Sequence, residues 1–303
     1  MGKEIREAVS PEMLKKSSRI RELLTKPRKE MRSSKISLYL TRYAINKLYR
    51  SVPRAEGVSF LKVKTGKIRA ILAECKDGSK SSDIIVYIHG GAFMSGNASV
   101  SRGYISCLAK HSGCRVYSLD YSLSPEVKYS VAFEECVDAV SIIIRDNPDS
   151  KISLIGDSAG ANLSLATALK LKSQVSSVIL NSPVIDFSDT IDRSRSNQDS
   201  VVVKKGLKSS FEKLYFGGHD PKDPFISPYF GDYEGLPPVF ITCDIDEGLY
   251  SDGLTVYEKC EAAGVPVKLI VMKGAFHAFA VMADSAPETA KLMSEQVAFM
   301  KQP

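Results

Sequence analysis

Strand-length apolar runs alternate with helix-length segments through most of this 303-residue chain, and that alternation limits the folds open to it. The expected strands are Ile84–Ile88, Arg115–Leu119, Ile152–Ile155, Ser177–Leu180, Val239–Thr242 and Val267–Val271. The expected helices are Arg102–His111, Ala132–Arg145, a helix starting at Ser158, Gly253–Ala263 and Pro287–Met300. Strands that alternate with helices predict βαβ units, so we expect an α/β protein whose mainly parallel sheet carries helices on both faces.

The N-terminal part of the chain does not follow this alternation. Residues 1–54 contain two helical patterns, Pro11–Thr25 and Ser33–Tyr49, and predict a helical cap segment. Two alternating runs come next, Val58–Val63 and Ile68–Ala73, on either side of a Lys-Thr-Gly-Lys turn. They predict an antiparallel hairpin at one edge of the sheet.

Residues 55–303 therefore make up the predicted core, and one long interval interrupts it. Residues 186–232 are polar and rich in proline and glycine, with one helical pattern at Lys204–Tyr215. An insertion of this kind between two core strands is typical of a lid or substrate-binding element, so we expect a second part of the cap here.

The sequence Gly156-Asp157-Ser158-Ala159-Gly160 joins a predicted strand to a predicted helix. Gly-x-Ser-x-Gly in that setting predicts a tight turn that exposes the serine hydroxyl, because the glycines remove side chains that would collide there. The start of the helix directs free N–H groups and its positive dipole end to the same place. Such a sequence also occurs at ordinary glycine-rich helix starts, so Ser158 is a candidate nucleophile only if the chain supplies a base and an acid.

In hydrolases with a Gly-x-Ser-x-Gly sequence, the serine comes first in the chain, then the acid, then the histidine. Only two of the four histidines, His219 and His277, follow Ser158. His219 lies in a turn inside the insertion, whereas His277 follows the last predicted strand at the sheet edge where Ser158 is expected. His277 is therefore the candidate base, which an acid must orient. The carboxylates near the end of the preceding strand are Asp244, Asp246, Glu247 and Asp252, and local sequence does not choose among them.

A glycine-rich loop, His89-Gly90-Gly91-Ala92-Phe93, directly follows the Ile84–Ile88 strand. Backbone N–H groups of such a loop can bind an oxyanion. Together with the N–H of Ala159, the loop predicts an oxyanion hole made by Gly90, Gly91 and Ala159. The loop and the later Gly-Asp-Ser-Ala-Gly sequence together indicate a serine nucleophile with an oxyanion hole much more specifically than either sequence alone.

These segments resemble the hormone-sensitive-lipase-like esterases of the α/β-hydrolase superfamily over about residues 56–299. The segments that carry the resemblance are His89–Phe93, Tyr121–Glu126 (family YRLAPE), Gly156–Gly160, Gly217–Phe225, Ser227-Pro228, Leu236–Pro238 and Phe276–Phe279. The resemblance implies an α/β-hydrolase fold with a helical cap that hydrolyses short-acyl carboxylic esters without a cofactor.

The chain departs from the family pattern at three places. Ala92 replaces the third glycine of the loop, Ser122 replaces the arginine of YRLAPE, and the usual Asp-Pro-Leu acid motif is missing. Gap-free alignment from the neighbouring motifs places Glu247 in the aspartate column, as in relatives that read DE-x-LLSD. The resemblance thus implies Glu247 as the acid, with Asp246 as the alternative.

The resemblance implies a serine carboxylesterase for short- to medium-chain acyl esters that works through a Ser158–His277–Glu247 triad and an acyl-enzyme. The same triad could act as a deacetylase, lactonase or amidase, and some relatives of the fold are non-catalytic ligand receptors. The apolar residues expected to line the substrate pocket are Phe93, Leu207, Phe211, Phe279 and Met282. No His-x-His, HExxH or paired-cysteine spacing predicts a metal site.

Composition bears on location and partners. No apolar run reaches the ~20 residues that cross a membrane, and no secretion signal is recognisable, so we expect a cytoplasmic protein whose six cysteines are reduced. The net charge of +6 is concentrated in residues 1–54, which hold 15 Lys and Arg against 5 Asp and Glu. We interpret this excess as a solvated helical face and expect no nucleic-acid partner. Exposed edge strands of the sheet would allow a homodimer.

Overall fold

A computed structural model of the protein describes residues 1–25, 35–194 and 211–302. The strands are β1 (Lys3–Glu7), β2 (Val58–Thr65), β3 (Ile68–Cys75), β4 (Ile84–Ile88), β5 (Arg115–Asp120), β6 (Ile152–Asp157), β7 (Ser177–Asn181), β8 (Val239–Asp244) and β9 (Val267–Lys273). The helices are α1 (Pro11–Thr25), α2 (Lys35–Arg50), α3 (Arg102–Ser112), α4 (Tyr129–Asp146), α5 (Ala159–Leu171), α6 (Tyr250–Ala262) and α7 (Pro287–Met300).

All nine strands form one sheet in the order β1-β9-β8-β7-β6-β4-β5-β3-β2. Only the β2–β3 and β3–β5 pairs are antiparallel. Every residue of β4, β6, β7 and β8 is buried, because α4 and α5 cover one face of the sheet while α3 and α7 cover the other. The predicted α/β architecture, with its mainly parallel sheet and helices on both faces, is confirmed.

Strand β1 is absent from the sequence-based prediction, which assigned only helices to residues 1–54. Residues 3–7, KEIRE, contain a single apolar residue, Ile5, and a strand at a sheet edge needs no apolar run. β1 pairs parallel with β9, whose hydrogen bonds fix its register from Lys3 opposite Leu269 to Glu7 opposite Lys273. The described part of the N-terminal segment therefore contributes a strand as well as the two helices α1 and α2.

The described parts of the insertion are held to the core by a buried ion pair. Arg193 donates to both carboxylate oxygens of Asp252 at 2.7 and 2.8 Å, so Asp252 anchors the insertion to α6. The predicted helix Lys204–Tyr215 lies mostly outside the described residues, as does Leu207, and Glu212–Phe216 form a π-helical turn.

Two further predictions concern the whole chain. All six cysteines are free and buried, which confirms that they pack as small apolar residues. No described helix is long and apolar enough to cross a membrane.

Candidate active site

Ser158 occupies a strained turn between β6 and α5. Its backbone φ and ψ are 53° and −117°, a conformation that residues other than glycine rarely adopt. Its carbonyl accepts the N–H of Asn162 at 3.1 Å, where the helix begins. A Cβ atom at Gly160 would lie 2.0 Å from the carbonyl oxygen of Ile88, and one at Gly156 would lie 2.3 Å from the oxygen of Gly160. The two glycines are thus required for α5 to pack closely against the ends of β4 and β6.

The side chains of Ser158, His277 and Glu247 form a hydrogen-bonded chain. His277 Nε2 lies 2.9 Å from Ser158 Oγ, and His277 Nδ1 lies 2.5 Å from Glu247 Oε2. The three residues come from the segments that follow β6, β9 and β8, and the carboxyl ends of these parallel strands share one edge of the sheet. The structure therefore brings together three residues separated by up to 119 positions in sequence.

Electrostatics favour a basic His277. Burial lowers the pKa of this imidazole, but the adjacent Glu247 carboxylate more than offsets that effect, so the pKa lies above its ordinary value. The ring keeps 23% of its surface exposed, whereas the Glu247 side chain keeps 3%. The arrangement can draw a proton from the Ser158 hydroxyl and stabilise the imidazolium that forms.

Ser182 holds the acid and the base loop together, and no sequence motif indicated it. The Ser182 hydroxyl donates to Glu247 Oε1 at 2.7 Å and accepts the N–H of Ala278 at 2.9 Å. Glu247 Oε1 also accepts the N–H of Asp244 at 3.0 Å. Both carboxylate oxygens of Glu247 are therefore hydrogen-bonded, which fixes the carboxylate opposite His277.

The other candidate residues have different partners. The Asp246 side chain is 41% exposed and lies 3.3 Å from the guanidinium of Arg21, and Asp252 pairs with Arg193. The alternative base, His219, packs edge-on against the ring of Tyr129. Among the described residues, none of these three candidates is hydrogen-bonded to Ser158 or His277.

The oxyanion loop contains an N–H group that is already hydrogen-bonded within the protein. The N–H of Gly90, predicted to be an oxyanion donor, donates to Asp157 Oδ1 at 3.1 Å in this structure. No described group accepts the N–H groups of Gly91, Ala92 or Ala159. Ala92 has a φ of 55°, a conformation that an alanine rarely adopts and that marks this loop as strained.

Asp157 connects the oxyanion loop to the N-terminal segment. Its buried carboxylate accepts hydrogen bonds from the hydroxyls of Tyr49 and Tyr87 as well as from Gly90. Burial raises the pKa of Asp157, and the tyrosine hydroxyls partly counter that rise. Tyr49 lies on α2, so a side chain from the predicted cap segment reaches the residue beside Ser158. No sequence pattern indicated this contact.

Three of the predicted pocket residues, Phe93, Phe211 and Phe279, have buried side chains. Phe93 and Phe211 are 1% and 5% exposed and belong to one aromatic cluster, in which Phe93 stacks on Tyr215 with ring centroids 3.9 Å apart. Phe279 is fully buried in the core cluster that faces α3 and α7. The assignment of Phe93, Phe211 and Phe279 to the substrate pocket stays a prediction, and Leu207 lies outside the described residues.

Helix α1 contacts the segments that carry the acid and the base. Arg21 donates to Asp244 Oδ1 at 2.8 Å and to the carbonyl of Ala275 at 2.6 Å, and Ser17 donates to the same carbonyl. Asp244 Oδ2 in turn accepts the N–H of Ala275 at 2.7 Å. Burial raises the pKa of Asp244 to about 6, although Arg21 acts against that rise and the Glu247 and Asp246 carboxylates add to it.

Replacing Arg21 with methionine is expected to destabilise the protein more at pH 8 than at pH 5. Without the guanidinium, the pKa of buried Asp244 rises further. At pH 5 the carboxyl is neutral and little stability is lost, whereas at pH 8 an unpaired buried charge lowers the free energy of unfolding. We expect a loss of about 1–2 kcal/mol at pH 8, below the ~3–5 kcal/mol of a fully buried pair, because the Arg21 side chain is 34% exposed. Urea unfolding at both pH values measures it.

The control is the double variant that combines Arg21→Met with Asp244→Asn. Asparagine can still accept the N–H of Ala275 but carries no charge. In the Asp244→Asn background, the loss of unfolding free energy caused by Arg21→Met should then be the same at pH 5 and pH 8. A loss from Arg21→Met that is equal at pH 5 and pH 8 would contradict this account.

Comparisons with known proteins agree with this geometry. Residues 85–281 match the family defined by the alpha/beta hydrolase fold. An esterase of Acinetobacter venetianus is 30% identical over 265 residues, which cover 85% of this chain and 87% of that protein. An acetyl esterase of Salmonella schwarzengrund is 30% identical over 213 residues, which cover 66% of each chain.

Solved structures give the same result. An esterase from the bacterial hormone-sensitive lipase family superimposes with a TM-score of 0.85 at 27% identity, over 97% of this chain and 98% of that one. A hormone-sensitive lipase from a metagenome library gives a TM-score of 0.82 at 30% identity, over 94% and 97%. The chain therefore belongs to the α/β-hydrolase family, as an esterase of the hormone-sensitive-lipase-like type.

Proposed function

We propose that this protein hydrolyses short- to medium-chain carboxylic esters through an acyl-enzyme formed on Ser158. The observation that carries the proposal is the continuous hydrogen-bonded chain from Ser158 through His277 to Glu247, with links of 2.9 and 2.5 Å. A serine at a strained strand-to-helix turn, aligned with an imidazole and a buried carboxylate, is the arrangement that acyl transfer requires.

In the first half of the reaction, Ser158 Oγ attacks the ester carbonyl carbon while His277 Nε2 takes the hydroxyl proton. Glu247 accepts the Nδ1–H of His277, which keeps the imidazole in the required tautomer and stabilises the imidazolium. Collapse of the tetrahedral intermediate breaks the bond to the alkoxy group, and His277 returns the proton to the leaving alcohol. A water, deprotonated by His277, then attacks the acyl-serine and releases the acid.

The oxyanion is bound by backbone N–H groups in this mechanism. Gly91 and Ala159 remain from the sequence-based assignment, and the N–H of Ala92 takes the place of Gly90, whose N–H is already donated to Asp157. Each such donor is typically worth about 3 kcal/mol of transition-state stabilisation. The Asp157 carboxylate orients the loop from its Gly90 end.

Short acyl groups are expected to be the best substrates. Phe93, the last residue of the oxyanion loop, is buried against Tyr215 and Phe211, and filled space there favours a small acyl group. We expect kcat/KM for p-nitrophenyl acetate or butyrate to exceed that for the octanoate by about tenfold or more. A steady-state assay of the three esters measures this ratio.

The same assay tests two of the alternative functions, the amidase and the ligand receptor. p-Nitroacetanilide supplies the matching amide, and faster turnover of this amide than of the acetate would indicate an amidase. Turnover of no ester or amide would indicate a ligand receptor. A preference for octanoate would contradict the short-acyl assignment. The cytoplasmic location stays a prediction.

A further inference from the structure

Strand β1 presents a free edge of the sheet. Leu269 N–H donates to the carbonyl of Gly2, and Ala8 N–H donates to the carbonyl of Lys273, so the even-numbered residues of β1 direct their backbone groups towards β9. Because these groups alternate along a strand, the N–H and C=O groups of Lys3, Ile5 and Glu7 point away from the sheet. Among residues 1–25, 35–194 and 211–302, no strand pairs with this outer edge.

The sequence along this edge is complementary to itself when it is read in the opposite direction. Antiparallel pairing centred on Ile5 sets each residue against a matching one: Met1 with Val9, Gly2 with Ala8, Lys3 with Glu7, Glu4 with Arg6, and Ile5 with Ile5. Every charged residue then faces the opposite charge, and every apolar residue faces an apolar or small one. Pairs of both kinds stabilise antiparallel strands.

The exposed side chains fit this pairing. Met1, Ile5 and Val9 are 70, 58 and 71% exposed, which is unusual for three large apolar residues along one short strand and its ends. Lys3 contacts Tyr250 on α6 and Arg6 contacts Glu295 on α7, so odd and even residues of β1 project to opposite faces of the sheet. Both rows would meet their counterparts when two such edges pair.

We propose that β1 is a dimerisation edge, which pairs antiparallel with β1 of a second copy of this chain about a twofold axis at Ile5. The two nine-stranded sheets then form one continuous sheet of about twice that width. Each of Lys3, Ile5 and Glu7 exchanges two backbone hydrogen bonds with its opposite residue in the second copy.

Charge also fixes the register of this pairing. A slip by two residues in one direction sets Glu4 against Glu4 of the second copy, and a slip in the other sets Arg6 against Arg6. Like charges directly opposite each other destabilise a pair of strands. Charged residues on an edge usually prevent pairing with any other strand; here they would disfavour the two neighbouring registers relative to the complementary one.

Charge-reversal variants studied by sedimentation velocity test the proposal. The unchanged protein is expected to dimerise, while Lys3→Glu and Glu7→Lys each set two like-charged pairs across the axis and weaken dimerisation by about tenfold or more. An equimolar mixture of the two variants makes both pairs opposite in charge again, so it should recover the dimer. The variant with both substitutions should dimerise as the unchanged protein does.

Lys62→Glu is the matched control, because Lys62 is an exposed lysine on β2 at the other edge of the sheet. It should leave the dimer intact, and circular dichroism melting curves check that each variant folds. A monomeric unchanged protein, a dimer insensitive to both single variants, or a mixture that stays monomeric would each overturn the proposal.

Discussion

Replacing Ser158 with alanine is expected to lower kcat for p-nitrophenyl acetate by about a millionfold. The substitution removes the oxygen that forms the acyl-enzyme, and neither His277 nor Glu247 can replace it. Residual activity would come only from the oxyanion donors and from bound water. Substrate binding should change little, because the alanine keeps the Cβ atom and the helix start.

Ser164→Ala provides the matched control for this experiment. Ser164 lies on α5, the helix that Ser158 precedes, and its buried hydroxyl has no hydrogen-bond partner among the described residues. The variant should keep nearly full activity. If Ser158→Ala retained more than about one hundredth of the activity, Ser158 would not be the nucleophile.

Replacing Glu247 with glutamine is expected to lower kcat by about a thousandfold to ten-thousandfold. Glutamine fits the same space, but its amide no longer stabilises the imidazolium and can hold His277 in the wrong tautomer. The carboxylate also raises the pKa of His277, so the acidic limb of the kcat/KM profile should move to lower pH in the variant. The pH profile of single-turnover acylation measures both effects.

Asp246→Asn is the matched comparison, because it removes the neighbouring carboxylate by the same chemistry. The Asp246 side chain is 41% exposed and pairs with Arg21 rather than His277, so we expect less than about a threefold change in kcat. If kcat fell sharply in the Asp246→Asn enzyme but stayed nearly unchanged in the Glu247→Gln enzyme, Asp246 and not Glu247 would be the acid.

The order of strands and helices, and the candidate residues Ser158 and His277, could be predicted because each depends on a short stretch of sequence or on chain order. Fully buried parallel strands are short apolar runs, and the tight turn at Ser158 needs glycines at fixed positions. The position of His277 followed from chain order, since only two histidines come after the serine. Strand β1 could not be predicted, because its pairing depends on the exposed edge of β9 and not on any pattern of its own.

Contacts between distant segments account for the rest of the site. Tyr49 reaches Asp157 and Ser182 reaches Glu247 across 108 and 65 positions, and single hydroxyls carry no sequence signal. The hydrogen bond of the Gly90 N–H has the same origin. The loop sequence shows which N–H groups exist, but only the fold shows that Asp157 already accepts one of them.

Covalent labelling with diethyl p-nitrophenyl phosphate, read out by peptide mass spectrometry, tests the central claim most directly. This reagent phosphorylates a serine that a neighbouring base has activated much faster than an ordinary hydroxyl. We predict one diethylphosphoryl group per chain, located on Ser158, with labelling slowed at least about a hundredfold in a His277→Gln variant. Labelling at another residue, or equally fast labelling without His277, would contradict the account.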